Sequence, residues 1–115
     1  MKYVCTSSRL RSVFLGSESS LFESELHVKC PNCKSQICFS FNELRAIEEE
    51  LLNFAKASNL ITETEYSVEV KEGVPAYVAN TKCAACHTIT HIIVGIKEVQ
   101  PQRFNAYIKS VITET

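Results

Sequence analysis

Two Cys-x-x-Cys motifs, about fifty residues apart, constrain the fold of this chain more than any other feature. They read CPNC at 30–33 and CAAC at 83–86. Two thiolates separated by two residues on a tight turn present both sulfurs to one point, so two such turns complete a tetrahedron of four sulfurs. The spacing therefore predicts one structural Zn²⁺ ion, with iron in the same geometry as the alternative metal. The predicted ligands are Cys30, Cys33, Cys83 and Cys86.

A redox role for these cysteines is the main alternative, in which one or both pairs switch between dithiol and disulfide. A redox pair favours the N-terminus of a helix, where the helix dipole lowers the thiol pKa, whereas both pairs are predicted to lie between strands. Four cysteine ligands leave no coordination position for a reactive water on the zinc. The chain also lacks a phosphate-binding loop and a nucleophile elbow, so we expect no enzyme activity.

The bulk properties predict one domain that interacts with neither membranes nor, by overall charge, nucleic acid. The chain has 115 residues, and its twelve basic and thirteen acidic residues leave a formal charge of -1. We expect a single domain over 1–115 with a peripheral, serine-rich N-terminal segment over 1–25. The sequence shows no secretory signal and no transmembrane stretch, which predicts a cytoplasmic protein whose six cysteines are metal ligands and free thiols.

Alternating apolar and polar residues predict β-hairpins around both motifs. Leu26 and Val28 precede the first motif, and Ile37 and Phe39 follow it at period two. Residues 66–70, 76–81 and 88–99 are predicted to form antiparallel neighbours, with the second motif between the last two.

Two helices are predicted beside this sheet. The run from Ser40 to Glu43 fits a capping box, apolar residues recur at helical spacing over 44–55, and Ser58-Asn59 provides an end. After Pro101, apolar residues recur at spacings of three and four over 104–112, which favours a C-terminal helix, with a strand from Phe104 onward as the alternative. The predicted fold class is α+β: an antiparallel sheet with two zinc-knuckle hairpins, a central amphipathic helix and a C-terminal helix.

With its two CxxC turns on hairpins, the chain resembles the zinc-ribbon group, in which two such knuckles share one zinc ion. The resemblance covers about 26–41 and 77–99, and it implies a fold and not an activity. The chain departs from the usual pattern at Lys34 and His87, where many knuckles have glycine. It also departs in the separation of the pairs, which is about fifty residues instead of the fifteen to twenty of a compact ribbon.

The remaining cysteines and histidines are given structural roles. Cys38 is expected to be a buried small residue, and Cys5 has no partner at a ligand spacing. His87 and His91 are candidates to donate a hydrogen bond to a ligand sulfur.

Three functions remain open. The first is a non-enzymatic protein-binding module. In size and charge the chain resembles bacterial immunity proteins, and this resemblance implies a toxin domain as the partner. The toxin would bind at the acidic run Glu48, Glu49 and Glu50. The second is a nucleic-acid-binding or transcription-regulatory zinc ribbon that uses Lys29, Lys34 and Lys82 beside the knuckles. The third is a redox- or zinc-responsive regulator that loses a binding face when the metal leaves.

Overall fold

The computed structural model describes residues 3–7, 11–17, 25–65, 67–71, 73–100 and 103–114. Within these ranges the chain forms ten strands, one α-helix and a single 3-10 turn at Phe41–Glu43. The α-helix is α1 (Glu49–Ala57). The strands are β1 (Tyr3–Ser7), β2 (Arg11–Ser17), β3 (Glu25–Lys29), β4 (Gln36–Ser40), β5 (Leu44–Arg45), β6 (Thr62–Glu63), β7 (Val68–Lys71), β8 (Val74–Lys82), β9 (Ile89–Gln100) and β10 (Arg103–Glu114).

The strands form one large antiparallel sheet and one small hairpin. The large sheet has the order β1-β10-β9-β8-β7-β6, with β2 also paired to β10 and β5 also paired to β8. The small sheet is the hairpin β3–β4 alone. The neighbours β7, β8 and β9 pair antiparallel as the sequence predicts.

The large sheet is covered on both faces, which gives three layers. Ile92 and Val94 of β9 belong to an apolar cluster that includes the inner side of the hairpin β3–β4. Ile93, between them, belongs to a second cluster that includes Leu51 and Ala55 of α1. Because successive strand residues point to opposite faces, the hairpin and the helix lie on opposite sides of the sheet.

The predicted C-terminal helix is wrong, because residues 103–114 form the strand β10. Side-chain burial alternates from Asn105 to Ser110, and the register against β9 then shifts between Ile108 and Ser110. An extra residue in a strand changes the phase of its inward positions, so apolar residues on either side of the bulge fall three and four apart, as in a helix. After the bulge, Val111 and Ile112 are both buried, one in each apolar cluster, so the simple alternation ends there.

The central helix is present, but it begins at Glu49 and not near Ser40. The Ser40 amide donates to the Glu43 carboxylate over 2.7 Å, so half of the predicted capping box forms and closes the 3-10 turn. Leu44 and Arg45 then pair with β8, and this pairing delays the helix. The predicted end is confirmed: Asn59 adopts a φ of 59°, and the amide of Leu60 donates to the carbonyl of Ala55, as in a Schellman motif.

The N-terminal segment contributes β1 and β2, which lie along the edge of β10. The Tyr3 ring lies 5.4 Å from the Phe54 ring of α1 between centroids, so β1 reaches the helix layer. The rest of the serine-rich segment, 1–2, 8–10 and 18–24, lies outside the described residues. The described part of the chain contains no helix with the length and apolarity needed for a membrane span.

Candidate metal centre

The two cysteine motifs form turns with the same backbone hydrogen bonds. In the first turn, the Lys34 amide donates to the Cys30 carbonyl over 2.9 Å, and the Cys30 amide donates to the Ser35 carbonyl over 2.8 Å. In the second turn, the His87 amide donates to the Cys83 carbonyl over 2.8 Å, and the Cys83 amide donates to the Thr88 carbonyl over 2.9 Å. Because both turns are closed in the same way, each brings its two thiols to the same side. We refer to residues 30–35 as the first knuckle and to residues 83–88 as the second knuckle.

The residue after the second cysteine of each knuckle adopts a left-handed backbone conformation. Lys34 has a φ of 67° and His87 a φ of 63°. These are the two positions at which the sequence departs from the glycine of many zinc knuckles. A side chain with a Cβ atom is disfavoured at positive φ, so both knuckles carry backbone strain that glycine would relieve.

The four sulfurs converge, as the spacing predicts. The ligand atoms of Cys30, Cys33, Cys83 and Cys86 all lie within 4.8 Å of one another. Across the knuckles, the sulfurs of Cys30 and Cys86 are 3.6 Å apart, and those of Cys33 and Cys83 are 3.5 Å apart. Metal–sulfur bonds of about 2.3 Å in a tetrahedral site give sulfur–sulfur edges of about 3.8 Å. The four cysteines therefore fit one tetrahedral metal ion.

The site joins the small hairpin to the large sheet. Cys30 directly follows β3, and Cys83 directly follows β8. Both residues are almost fully buried, with 0% and 1% of their surface exposed, and both belong to the cluster between hairpin and sheet. Cys33 and Cys86 are partly exposed. A bound metal would thus cross-link two sheets that also meet through apolar contacts and through a hydrogen bond between Asn32 and Thr88.

Hydroxyl and amide groups next to the sulfurs stabilise two of the thiolates. The Thr88 hydroxyl lies 3.0 Å from the Cys86 sulfur, and the Asn32 amide donates to the Thr88 oxygen over 3.1 Å. The hydrogen bonds from Thr88 and then Asn32 lower the pKa of Cys86 to about 5. In the first knuckle, the side chain and backbone of Ser35 lower the pKa of Cys33 in the same way. Each knuckle therefore contains one cysteine whose pKa is lowered before a metal binds.

The pKa of Cys83 is shifted in the opposite direction. The backbone amide of Cys86 acts to lower its pKa, but burial and the neighbouring thiols of Cys33 and Cys86 outweigh that effect and raise the pKa to about 11. A cation at the centre of the cluster would be needed to hold all four sulfurs as thiolates at neutral pH. This is the charge requirement of a metal-binding site.

The two histidines singled out in the sequence are placed differently. The His87 backbone closes the second knuckle, while its ring is exposed. The His91 ring lies 2.6 Å from Asn80 Oδ1 and 2.9 Å from Glu114 Oε2, so its nitrogens bond to side chains of the large sheet. The side chain that reaches a ligand sulfur of the second knuckle is that of Thr88.

The residues considered for partner binding are all exposed. Glu48, Glu49 and Glu50 lie at the start of α1, and we call these three residues the acidic surface. Lys29, Lys34 and Lys82 lie on or next to the knuckles, and we call these three residues the lysine set. The acidic surface therefore belongs to α1 and the lysine set to the knuckles.

Sequence reasoning missed the groups that tune the thiols. An alignment of CPNCKS with CAACHT shows a hydroxyl residue two positions after each second cysteine, Ser35 and Thr88, and this pattern could have identified both groups from the sequence.

The expected burial of Cys38 is wrong, since its side chain is exposed. Its neighbours Ile37 and Phe39 point into the core, and the alternation of a strand places Cys38 on the outer face.

No protein-family model, curated protein or solved structure matches this chain. What the chain shares with zinc ribbons is the cluster of four cysteines on two hairpin turns.

Proposed function

We propose that this protein is a non-enzymatic, protein-binding module whose fold is stabilised by one structural zinc ion on Cys30, Cys33, Cys83 and Cys86. The convergence of four sulfurs between two sheets carries this proposal. A four-thiolate zinc ion has no position left for a substrate or a reactive water, so its contribution is to folding. All six cysteines lie within the described residues, and none of them forms a disulfide. This suits the reducing cytoplasm expected from the sequence.

The acidic surface is the proposed contact with the partner. Leu51 and Ala55 anchor α1 in the core, so the three carboxylates at its start are presented by a fixed element. Burial, and then the negative charges of Glu50, Glu114 and Glu48, raise the pKa of Tyr3, which indicates a negative potential on this side of the molecule. Among the described side chains the ion pairs are Lys56–Glu63 and His91–Glu114, so these three glutamates are available to an external cation.

A basic protein is the partner that this surface would attract. Complementary charge accelerates encounter and selects among partners more than it raises affinity. A basic toxin domain, neutralised as immunity proteins neutralise theirs, is the specific partner we propose within this class.

The test is purification of the tagged, full-length protein from its native host, without nuclease treatment, followed by identification of the bound protein and nucleic acid. We expect one stoichiometric protein partner that is lost in the triple variant Glu48→Gln, Glu49→Gln, Glu50→Gln. The matched control is Lys29→Ala, Lys34→Ala, Lys82→Ala, which changes three exposed charges elsewhere and should retain the partner. Equal retention by both variants would contradict the role of the acidic surface.

Nucleic-acid binding is the second candidate, because the lysine set is exposed beside the proposed metal. Phe39, an aromatic residue of β4 near the first knuckle, is buried with 2% exposure and cannot stack on a base. RNA or DNA that co-purifies, dissociates at raised salt and is lost in the lysine variant would support this candidate over the first.

A further inference from the structure

The outer face of the hairpin β3–β4 carries a second group of metal-ligating side chains. Glu25, His27 and Cys38 are all exposed, and their ligand atoms lie within 4.8 Å of one another. The inner face of the same hairpin, with Leu26 and Phe39, is buried against the large sheet. The three side chains therefore point to solvent, away from the core into which Cys30 is buried.

Strand register places these residues together. His27 and Cys38 are directly opposite each other in the antiparallel pair, and Glu25 is two residues earlier on the same face as His27. The His27 Nδ1 atom lies 3.0 Å from the Cys38 sulfur. Positions on paired strands are more precise than positions on loops, so this arrangement exists before any ligand binds.

Hydrogen bonding leaves the imidazole in the form that binds a metal. The Gln36 amide Nε2 can only donate, and it lies 2.7 Å from His27 Nδ1, so Nδ1 carries its lone pair toward this face. The Cys38 sulfur lies 3.0 Å from the same nitrogen. A cation that replaces the Gln36 donor at Nδ1 and the thiol proton of Cys38 would meet an imidazole nitrogen and a thiolate sulfur already side by side, with the Glu25 carboxylate near both.

We propose that Glu25, His27 and Cys38 form a second binding site, for a divalent cation of the zinc class. Sulfur, imidazole nitrogen and carboxylate oxygen are the three donor types that zinc takes in proteins. Three protein ligands leave at least one coordination position for water or for a donor from another molecule. An exposed cysteine is unusual on a strand, since free cysteine is among the most buried residue types, and a ligand role accounts for it.

The site is tested on the full-length protein with the four-cysteine site already filled by one equivalent of Zn²⁺. Co²⁺ is then added as the probe, because it binds nitrogen and sulfur sites more weakly than Zn²⁺ and will not displace the first ion. We expect one Co²⁺ per chain with a thiolate-to-cobalt charge-transfer absorption. That absorption should vanish in Cys38→Ser, and Co²⁺ affinity should fall at least about tenfold in His27→Ala and Glu25→Gln.

Two matched controls separate this site from non-specific binding. Cys5→Ser removes another cysteine outside the four-cysteine site, and Glu49→Gln removes another exposed carboxylate; both should keep the absorption and the affinity. Retention of one tightly bound Zn²⁺ in every variant shows that the fold is intact. No Co²⁺ binding by the wild-type protein, an absorption that survives in Cys38→Ser, or equal losses in the controls would overturn the proposal.

Discussion

The two knuckles have the same backbone hydrogen bonds, but they connect strands of different sheets. The first connects β3 and β4, five residues each, which form an isolated two-stranded sheet. The second connects β8 and β9, of nine and twelve residues, at the centre of the large sheet. A two-stranded hairpin is only marginally stable by itself, whereas strands inside a larger sheet are stabilised by partners on both edges. A shared metal would therefore stabilise the first knuckle far more than the second.

The side chains around the sulfurs differ as well. Asn32 of the first knuckle reaches across to Thr88 of the second, while the equivalent position in the second knuckle is Ala85. The first knuckle thus depends on the second for its position and also helps to set the pKa of Cys86. Similar sequence motifs can have unequal structural roles, because the surrounding sheet decides which one is fixed.

Removal of the metal should produce the largest effect. Chelation, or the variant Cys86→Ser, should cost more than about 4 kcal/mol, because loss of a structural metal belongs to the most destabilising class of change. Hydrogen exchange should show amides of β3 and β4 losing protection while those of β9 and β10 keep most of theirs. Cys5→Ser is the control and should change neither. A metal-free Cys86→Ser protein with a fully protected first hairpin would contradict this account.

Gly95→Ala should damage the large sheet instead. Gly95 is buried in β9, and an added Cβ atom would overlap the Val70 side chain and lie 2.7 Å from Val74 Cγ1. Overpacking of this kind costs about 1–3 kcal/mol, measured by urea unfolding, while metal affinity should stay unchanged.

A double-mutant cycle with Val70→Ala checks the cause of the Gly95 effect. The valine substitution should cost less in the Gly95→Ala background than in the wild type, because it relieves the overlap. Strict additivity would contradict the proposed overlap.

Thr88→Val should weaken metal binding about tenfold, as loss of a group that orients a ligand does. Without the hydroxyl, the pKa of Cys86 should rise from about 5 toward its ordinary value of 9.0, so protons compete with the metal at neutral pH. The loss should therefore be greater at pH 6 than at pH 9, measured by competition with a chelator of known affinity. Thr62→Val, at an exposed position of β6, should bind metal as the wild type does. A loss independent of pH would show that Thr88 acts through packing alone.

Lys34→Gly and His87→Gly should each stabilise the protein slightly, by about 0.5–1 kcal/mol, because glycine accepts a positive φ without strain. Urea unfolding of the metal-bound protein measures this gain. Lys34→Ala and His87→Ala lose the same side-chain functions but keep the strain, so they should show no gain. Equal gains in the alanine variants would assign the effect to charge and not to the backbone.

Local patterns predicted the parts of the fold that depend on near neighbours. The hairpin around 30–33 and the strands over 68–71, 74–82 and 89–100 follow from alternation that holds within a few residues. The end of α1 at Ser58-Asn59 also follows from local turn chemistry. The helix start was not predictable in this way, because β5 is formed by pairing with a distant strand. Over β10 the local pattern favoured a helix, with a strand from Phe104 as the alternative, because the strand contains a bulge set by its register on β9.

The sequence by itself determined which four cysteines are candidate metal ligands, since each pair lies on a turn of six residues. Only the tertiary structure decided which sulfurs lie closest, Cys30 to Cys86 and Cys33 to Cys83, and that Asn32 reaches Thr88. It also decided that Glu25, His27 and Cys38 share one exposed face. The physical reason is that these contacts depend on strand register and on how buried apolar faces pack, which are set by residues far apart in the chain.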